Sequence, residues 1–233
     1  MQINHLHGWQ VTPGQARDIQ KEIAALVSRN GDIKTPHLIA GADISCSRFQ
    51  NRARAAVVVL DFPEMNLVDL VTVEGPVGFP YIPGLLSFRE APLILKACEK
   101  LQHDPDVLFV DGQGMAHPLR IGIASHLGLF LNTPTIGCAK SCLCGTYDEV
   151  PDIAGAYTEL KDKGEIIGVV LRTRVHTRPL FISAGHLINL ESAVKLVMAC
   201  RRGYRLPEPS RLAHQAAGAH LEFKKSRVKN NIV

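Results

Sequence analysis

Along the first third of the chain, the pattern of apolar and polar positions predicts one helix followed by three strands. Thr12 and Pro13 are residue types typical of a helix start, and apolar residues follow at helical spacing up to Val27. Apolar and β-branched residues then dominate three runs, at 37–45, 55–62 and 67–73. Because the connections between these runs are short and polar or contain Pro, we expect an antiparallel meander.

The pattern changes after a Gly- and Pro-rich loop at residues 75–84. Helical spacing then alternates with short apolar runs, which predicts parallel strands at the far side of the same sheet. The predicted elements are a helix at 85–101, a strand at 107–110, a helix at 119–131, a strand at 134–139, a hairpin of 165–173 and 180–184, and helices at 189–201 and 209–223. This order predicts an α/β fold with an RNase H-like mixed sheet, an antiparallel meander plus parallel strands, flanked by helices.

Composition narrows the class of protein. We expect the 233 residues to form a single domain over 1–233, with a short basic tail at about 224–233. The net charge of +4 permits a polyanionic partner without requiring one. The six cysteines are spread in no regular framework, which is typical of reduced thiols. No signal peptide or membrane-spanning run is evident, so we expect a cytoplasmic protein, and a monomer.

Two aspartates occupy positions where a carboxylate is unusual. Asp43 lies within an otherwise apolar or small segment, where burying a charge is costly unless it is paired or binds a metal. Asp111 ends an apolar run and precedes Gly112, and the carboxyl ends of parallel strands line the usual site of open α/β sheets. There are structural alternatives for both residues. Asp43 could accept a hydrogen bond from a neighbouring loop, and Asp111 could belong to an ordinary Asp-Gly turn.

Glu90 is a third acidic candidate. Ser87 and Glu90 have the spacing of a capping box, which alone would explain the glutamate. However, helical spacing relates Glu90 to Leu86, Leu93 and Ile94, which places it on the face that packs against the sheet. A glutamate facing a sheet with two aspartates is better explained as part of an acidic cluster.

Three carboxylates in one place indicate a metal site, because they repel one another unless a cation is present. Oxygen ligands select Mg²⁺, with Mn²⁺ as a substitute, and such a metal can activate water for phosphodiester hydrolysis. Cys142-x-Cys144 lacks the usual spacer and a matching second pair, so zinc is disfavoured.

Four motifs in this order resemble the endonuclease V family, the deoxyinosine 3′ endonucleases, from about Gln10 to Phe223. They are Gly41-Ala42-Asp43-Ile44-Ser45, Pro80-Tyr81-Ile82-Pro83-Gly84-Leu85-Leu86-Ser87-Phe88-Arg89-Glu90, Asp111-Gly112-Gln113-Gly114 with His117-Pro118 and Arg120, and Gly137-Cys138-Ala139-Lys140. The Pro-Tyr-Ile-Pro-Gly segment leading into Phe-Arg-Glu is highly specific to that family, whereas Asp-Gly-x-Gly alone means little.

The resemblance implies a role for each matching residue. Asp43, Glu90 and Asp111 would hold the metal, and Lys140 and His214 would act at the scissile phosphate. Without the resemblance, His214 is more simply a packed histidine. Lys140 could be a solvated lysine at a strand end, and His117 a plain loop histidine. The nucleic-acid-binding set implied by the family is Pro80, Tyr81, Ile82, Pro83, Gly84, Leu85, Gly112 and His117.

The Pro80–Pro83 segment has the composition of a wedge. Two prolines stiffen the loop, and its apolar tip could enter a base step when a base leaves the stack. Tyr81 could instead pack within the loop. The glycines at 84, 112 and 114 allow close backbone approach, so that main-chain groups could contact a flipped base.

The activity implied by the resemblance is that of a Mg-dependent deoxyribonuclease V acting on DNA with deaminated bases, chiefly deoxyinosine. It would hydrolyse the second phosphodiester bond 3′ to the lesion and leave a 3′-hydroxyl and a 5′-phosphate. The alternatives are an inosine-specific endoribonuclease and a lesion-binding protein that does not cut. The basic residues expected to bind phosphates are Arg48, Arg52, Arg54, Arg201 and Arg202, whereas the tail suits a solubilising surface. The stretch from Cys138 to Cys144 has no assigned function.

Overall fold

Eight strands and five helices are present in a computed structural model, which describes residues 1–33, 35–46 and 51–219. The helices are α1 (Pro13–Ile23), continued by a 3₁₀ turn (Ala24–Leu26), α2 (Leu86–Cys98), α3 (Ile123–Leu131), α4 (Leu190–Ala199) and α5 (Glu208–Ala217). The strands are β1 (Leu38–Cys46), β2 (Arg52–Asp61), β3 (Leu67–Pro76), β4 (Val107–Val110), β5 (Thr135–Ala139), β6 (Tyr157–Asp162), β7 (Glu165–Leu171) and β8 (Leu180–Ala184).

All of these strands form one sheet in the order β3-β2-β1-β4-β5-β8-β7-β6. The first three strands are an antiparallel meander, and β4 and β5 continue the sheet in parallel to β1. β8 then pairs antiparallel with β5 and with β7. The predicted RNase H-like mixed sheet is confirmed, including the meander, the parallel centre and the hairpin of β7 and β8.

Helices cover both faces of the sheet. On one face, α2 and α3 pack on small and branched side chains of β1 and β2, such as Ala42 and Val57. On the other, α5 packs on Ala56 and Val58, while α4 covers the parallel half. Gly41 lets α5 approach closely, because a Cβ there would lie 2.1 Å from the Pro209 carbonyl oxygen. This contact places α5 directly over the centre of β1.

Several elements differ from the sequence-based expectation. The hydrophobic pattern did not predict β6, an edge strand in which only Leu160 is buried. α3 begins at Ile123 rather than at 119, because the preceding residues form a loop. The capping-box explanation of Glu90 is wrong, since α2 begins at Leu86 and Ser87 lies inside its first turn.

Some expectations fall on parts of the chain that the structure leaves undescribed. The predicted helix at 209–223 begins one residue earlier and ends at Ala217. The basic tail at 224–233 and Arg48 lie outside the described residues. Within the described part of the chain, every helix is too short or too polar to cross a bilayer.

Candidate active site

The central strands bring three of the predicted site residues to one edge of the sheet. Ala42 of β1 pairs with Val110 of β4, so Asp43 and Asp111 each follow a paired residue. The Asp111 N–H donates to the Ala42 carbonyl at 3.2 Å. Lys140 follows the last residue of β5, and its ammonium group forms an ion pair with Asp111. Backbone pairing therefore sets the spacing of these charged groups.

Asp43 is linked to α5. Its side chain is mostly buried, and its Oδ1 accepts the Ile44 N–H at 2.7 Å. Its Oδ2 accepts a hydrogen bond from His214 Nδ1 at 2.6 Å, across 171 residues of chain. The His214 side chain is 59% exposed, so the packed-histidine alternative is wrong. The partner of Asp43 is a helix histidine rather than a neighbouring loop.

Asp43, Asp111 and His214 form a group that could hold a metal ion. One ligand atom from each lies within 4.8 Å of the others. Glu90 does not belong to this group in the described residues, although it lies nearby. Burial, together with the charges of Asp43 and Asp111, raises the pKa of Glu90 to about 8. Glu90 therefore lies close enough to sense the charges of both aspartates, although it is not one of the three residues whose ligand atoms meet.

The electrostatics of the group favour a cation. Burial, and then the charge of Asp111, raise the pKa of Asp43, whereas the bond from His214 lowers it. A divalent cation would relieve the repulsion that keeps these carboxyl groups from ionising together. The carboxylate oxygens suit Mg²⁺ or Mn²⁺, whereas the imidazole nitrogen is a ligand type more usual for softer metals. The residues present therefore fit a divalent metal.

A cavity of about 240 Å³ opens beside this edge. Asp111 and Lys140 border it on the sheet side, and the loop at 81–84 forms the opposite wall. The first turns of α2 and α3 also face it, through Ser87 and Ile123. Within the described residues, neither helix has a side-chain cap at its N-terminus. The positive ends of two helix dipoles therefore border one cavity.

The predicted wedge forms the mouth of this cavity. Tyr81 is 72% exposed, so it does not pack within its own loop. Leu85 is buried at the other end of the segment, and Gly84 has a φ of +83°, a conformation that favours glycine. The loop thus presents an aromatic side chain to solvent on a rigid base.

His117 lies behind the loop rather than at its surface. The Leu119 N–H donates to its Nδ1 at 3.1 Å, so Nε2 carries the proton and donates to the Gly84 carbonyl at 2.8 Å. Burial lowers the pKa of His117, which favours this neutral form. Both ring nitrogens are therefore bonded within the protein.

Three polar side chains near the site were not predicted from the sequence. Gln20 and Gln113 line the cavity, and Gln113 Nε2 donates to the Ser141 carbonyl at 2.9 Å. Arg205 donates to the Lys140 carbonyl at 3.3 Å and so supports the strand end that carries this lysine. Gln20 carried a detectable signal, because it shares the apolar face of α1 with Ala16 and Ile23.

The basic residues expected at phosphates differ in how far they are engaged. Arg54 pairs with Glu74 at 3.6 Å, and Arg201 donates to the Thr173 carbonyl at 2.7 Å. Arg202 also donates to backbone carbonyls, whereas Arg52 is exposed. Among the described members of this set, Arg52 and Arg202 are exposed, and Arg202 is already bonded to backbone carbonyls.

A mixed sheet with one carboxylate within β1, a second just after the adjacent β4 and a lysine beside them is the arrangement of an RNase H-like nuclease. The chain belongs to the endonuclease V family, whose model matches residues 21–215. Endonuclease V from Dehalococcoides mccartyi is 55% identical over 217 residues, covering 93% of this chain and 97% of the relative.

Solved structures agree with this assignment. Endonuclease V from Bacillus subtilis superposes with a TM-score of 0.90 at 31% identity, covering 94% of this chain and 96% of that one. Endonuclease V from Ciona intestinalis, in complex with a 24mer DNA containing an inosine followed by a ribo-adenosine, gives a TM-score of 0.76 at 28% identity. It covers 88% of this chain and 96% of its own.

Proposed function

We propose that this protein cuts DNA at deaminated bases, chiefly deoxyinosine. It hydrolyses the second phosphodiester bond 3′ to the lesion and leaves a 3′-hydroxyl, a 5′-phosphate and the base in place. The observation that carries the proposal is the junction of a carboxylate cluster with a cavity bordered by the first turns of α2 and α3, since Asp111 and Lys140 lie at both. The inosine-containing DNA bound by the Ciona relative supports the same substrate class.

In this proposal, the acidic residues hold Mg²⁺, or Mn²⁺ in its place. Asp43 and Asp111 bind it directly, and Glu90 binds it directly or through water. When held by these residues, such a metal would supply polarisation of the phosphate and a lowered pKa for the attacking water. Because a cation offsets the repulsion among the carboxylates, its binding also lets Glu90 ionise at neutral pH.

Lys140 and His214 act on the phosphate, each from its contact with one of the two aspartates. The Lys140 ammonium group, paired with Asp111, stabilises negative charge on the phosphate in the transition state. His214 uses Nδ1 to bind Asp43, which leaves Nε2 to donate a hydrogen bond or a proton to the departing 3′ oxygen. Water attacks phosphorus, the bond to the 3′ oxygen breaks, and that oxygen takes up a proton.

The cavity explains why a deaminated base is preferred. Hypoxanthine presents a carbonyl oxygen where adenine presents an amino group. The partial positive charge at the starts of α2 and α3 favours that oxygen, whereas an amino group would bring a donor to the same place. Tyr81 and its neighbours fill the gap left in the stack, and flipping costs least at a mispaired base.

Partners and location follow from the same proposal. The substrate is duplex DNA, and inosine-containing RNA is the alternative that the ribo-adenosine in the Ciona complex keeps open. All six cysteines are free in this structure, which suits a reducing cytoplasm. We propose that the chain works there as a monomer and as one domain.

The test is a nicking assay on a duplex with one defined inosine. We expect a single nick, one nucleotide beyond the bond next to inosine, in Mg²⁺ and in Mn²⁺ but not in EDTA. A matched duplex with adenine in that place is the control for lesion recognition. An inosine-containing RNA of the same sequence decides between the two nucleic acids. Failure to nick the inosine DNA in Mg²⁺ would overturn the proposal.

A further inference from the structure

Gln20 is a buried polar residue that the proposed chemistry does not use. It lies on α1 before the span matched by the family model, and its side chain is 0% exposed. Its neighbours on the same helical face, Ala16 and Ile23, are apolar. Its Oε1 has no hydrogen-bond partner among the described residues, so any stabilisation comes from its NH₂ group.

That NH₂ group bridges the two loops that lead into α2 and α3. Gln20 Nε2 donates to the Gly84 carbonyl at 2.9 Å and to the Ile121 carbonyl at 3.4 Å. Gly84 directly follows the wedge segment Pro80–Pro83, and Ile121 immediately precedes the N-cap of α3. One side chain therefore ties together two walls of the proposed lesion cavity.

The peptide between Gly84 and Leu85 is held on both sides. Its carbonyl accepts from Gln20 and from His117 Nε2, the latter at 2.8 Å. Its N–H, which belongs to Leu85, donates to the Ile82 carbonyl at 2.9 Å. Both lone pairs of the Gly84 oxygen are thus used within the protein, and the orientation of this peptide is fixed.

We infer that Gln20 is a positioning residue for lesion recognition, which it supports by fixing the Gly84–Leu85 peptide and the start of α3. This inference rests on the proposed function, because it assigns Gln20 to the cavity that receives the flipped base. Asp43, Asp111 and Lys140 are held by strand pairing instead. Loss of the Gln20 bonds should therefore weaken recognition and spare the chemical step.

The experiment compares wild-type protein with Gln20→Met, which keeps the length of the side chain and removes its donors. Cleavage of a duplex with one inosine is followed in Mg²⁺ over a range of substrate concentrations. Because two hydrogen bonds are lost, we expect KM to rise about tenfold while kcat changes by less than about twofold. A 2-aminopurine beside the inosine should also show a smaller fluorescence rise on binding, since the wedge opens the stack less often.

Two control variants separate positioning from general stability. Gln102→Met makes the same chemical change at an exposed site and should leave both constants unchanged. Ile23→Ala removes packing from the same face of α1 without removing a donor, so it should lower Tm but not raise KM. If Gln20→Met fails to fold, Gly84→Ala strains the same peptide, because φ is +83° and the new Cβ would lie 3.4 Å from His117 Nε2. It should raise KM in the same way.

The outcomes separate the two proposals. If the wild-type protein does not cut the inosine duplex, the proposed function fails, and this inference fails with it. If the wild-type protein cuts but Gln20→Met has an unchanged KM, only the positioning role is overturned. A rise in KM equal to that of Ile23→Ala, or a fall in kcat alone, would also overturn it.

Discussion

The carboxylate cluster of Asp43 and Asp111, called the cleft below, and the proposed lesion cavity meet at Asp111 and Lys140 but are built by different means. In the cleft, the spacing of Asp43 and Asp111 follows from backbone pairing between β1 and β4. In the cavity, loops and helix ends are joined by a few side-chain hydrogen bonds, such as that from Gln20 to Gly84. A sheet resists small displacements cooperatively, whereas a loop depends on individual contacts. Changes in the cleft should therefore lower kcat, and changes in the cavity should raise KM.

The largest effect should come from Asp43. We expect Asp43→Asn to lower kcat by about 10³-fold, because a neutral amide does not bind the metal as a carboxylate does. Binding of the inosine duplex should be nearly unchanged. Single-turnover cleavage in Mg²⁺ and a binding titration in Ca²⁺ measure the two quantities. Asp18→Asn on the exposed side of α1 is the matched control. Parallel loss of cutting and binding would show that the two regions are not separable.

Lys140 should have the next largest effect. We expect Lys140→Met to lower kcat by about 10²-fold, since the ammonium group stabilises charge that develops on the phosphate. Loss of its ion pair also exposes Asp111 to the full repulsion of Asp43, so the variant should bind Mg²⁺ at least as tightly. Lys21→Met, at a site 62% exposed, is the control. An unchanged kcat would show that Lys140 serves the cavity wall alone.

Tyr81 tests the other region. We expect Tyr81→Ala to raise KM about tenfold and to reduce the preference for inosine over undamaged DNA, because stacking on an aromatic side chain is lost. The kcat of this variant should be unchanged. Tyr157→Ala, a comparably exposed tyrosine on the edge strand, is the control, and competition with undamaged duplex measures the preference. If the preference survives, the loop is not a wedge.

How much the sequence predicts also differs between the two regions. The strands that carry Asp43 and Asp111 have strong apolar patterns, and strand order brings them together, so the convergence of the carboxylates could be anticipated. The role of Gln20 could not, because its partners Gly84 and Ile121 are 64 and 101 residues away. A glutamine on an apolar helix face signals a buried bond but not its partner.

Local patterns also misled where tertiary contacts decide. Ser87 and Glu90 have capping-box spacing, yet α2 begins one residue earlier and Ser87 Oγ is buried within its first turn. β6 has a single buried residue, Leu160, and its other residues are polar, charged or aromatic, because an edge strand packs little of its surface. His214 has packed neighbours along α5, but the position of that helix over β1 turns its ring toward Asp43. The catalytic roles of His214 and Asp43 stay predictions.

The smallest effect should appear in stability and concerns Glu90. Its pKa is about 8 in the folded protein and near 4.5 when unfolded, so the folded state keeps a proton that the unfolded state releases between these values. Stability should therefore be greatest below the unfolded pKa and fall as pH rises toward 8. In EDTA, Glu90→Gln should match the wild-type Tm at pH 5 and exceed it by roughly 5 °C at pH 8. Glu22→Gln, exposed on α1, is the control.

Metal should reverse this difference. Mg²⁺ binds the ionised carboxylates, so it should raise the wild-type Tm more at pH 8 than at pH 5 and raise that of Glu90→Gln less. Thermal unfolding followed by circular dichroism measures the change in Tm that Mg²⁺ causes in each of the two proteins at each of the two pH values. Identical pH curves for the two proteins in EDTA would place Glu90 outside the repulsive cluster. The cleft would then contain two coupled carboxylates, and its Mg²⁺ dependence would rest on Asp43 and Asp111 with His214.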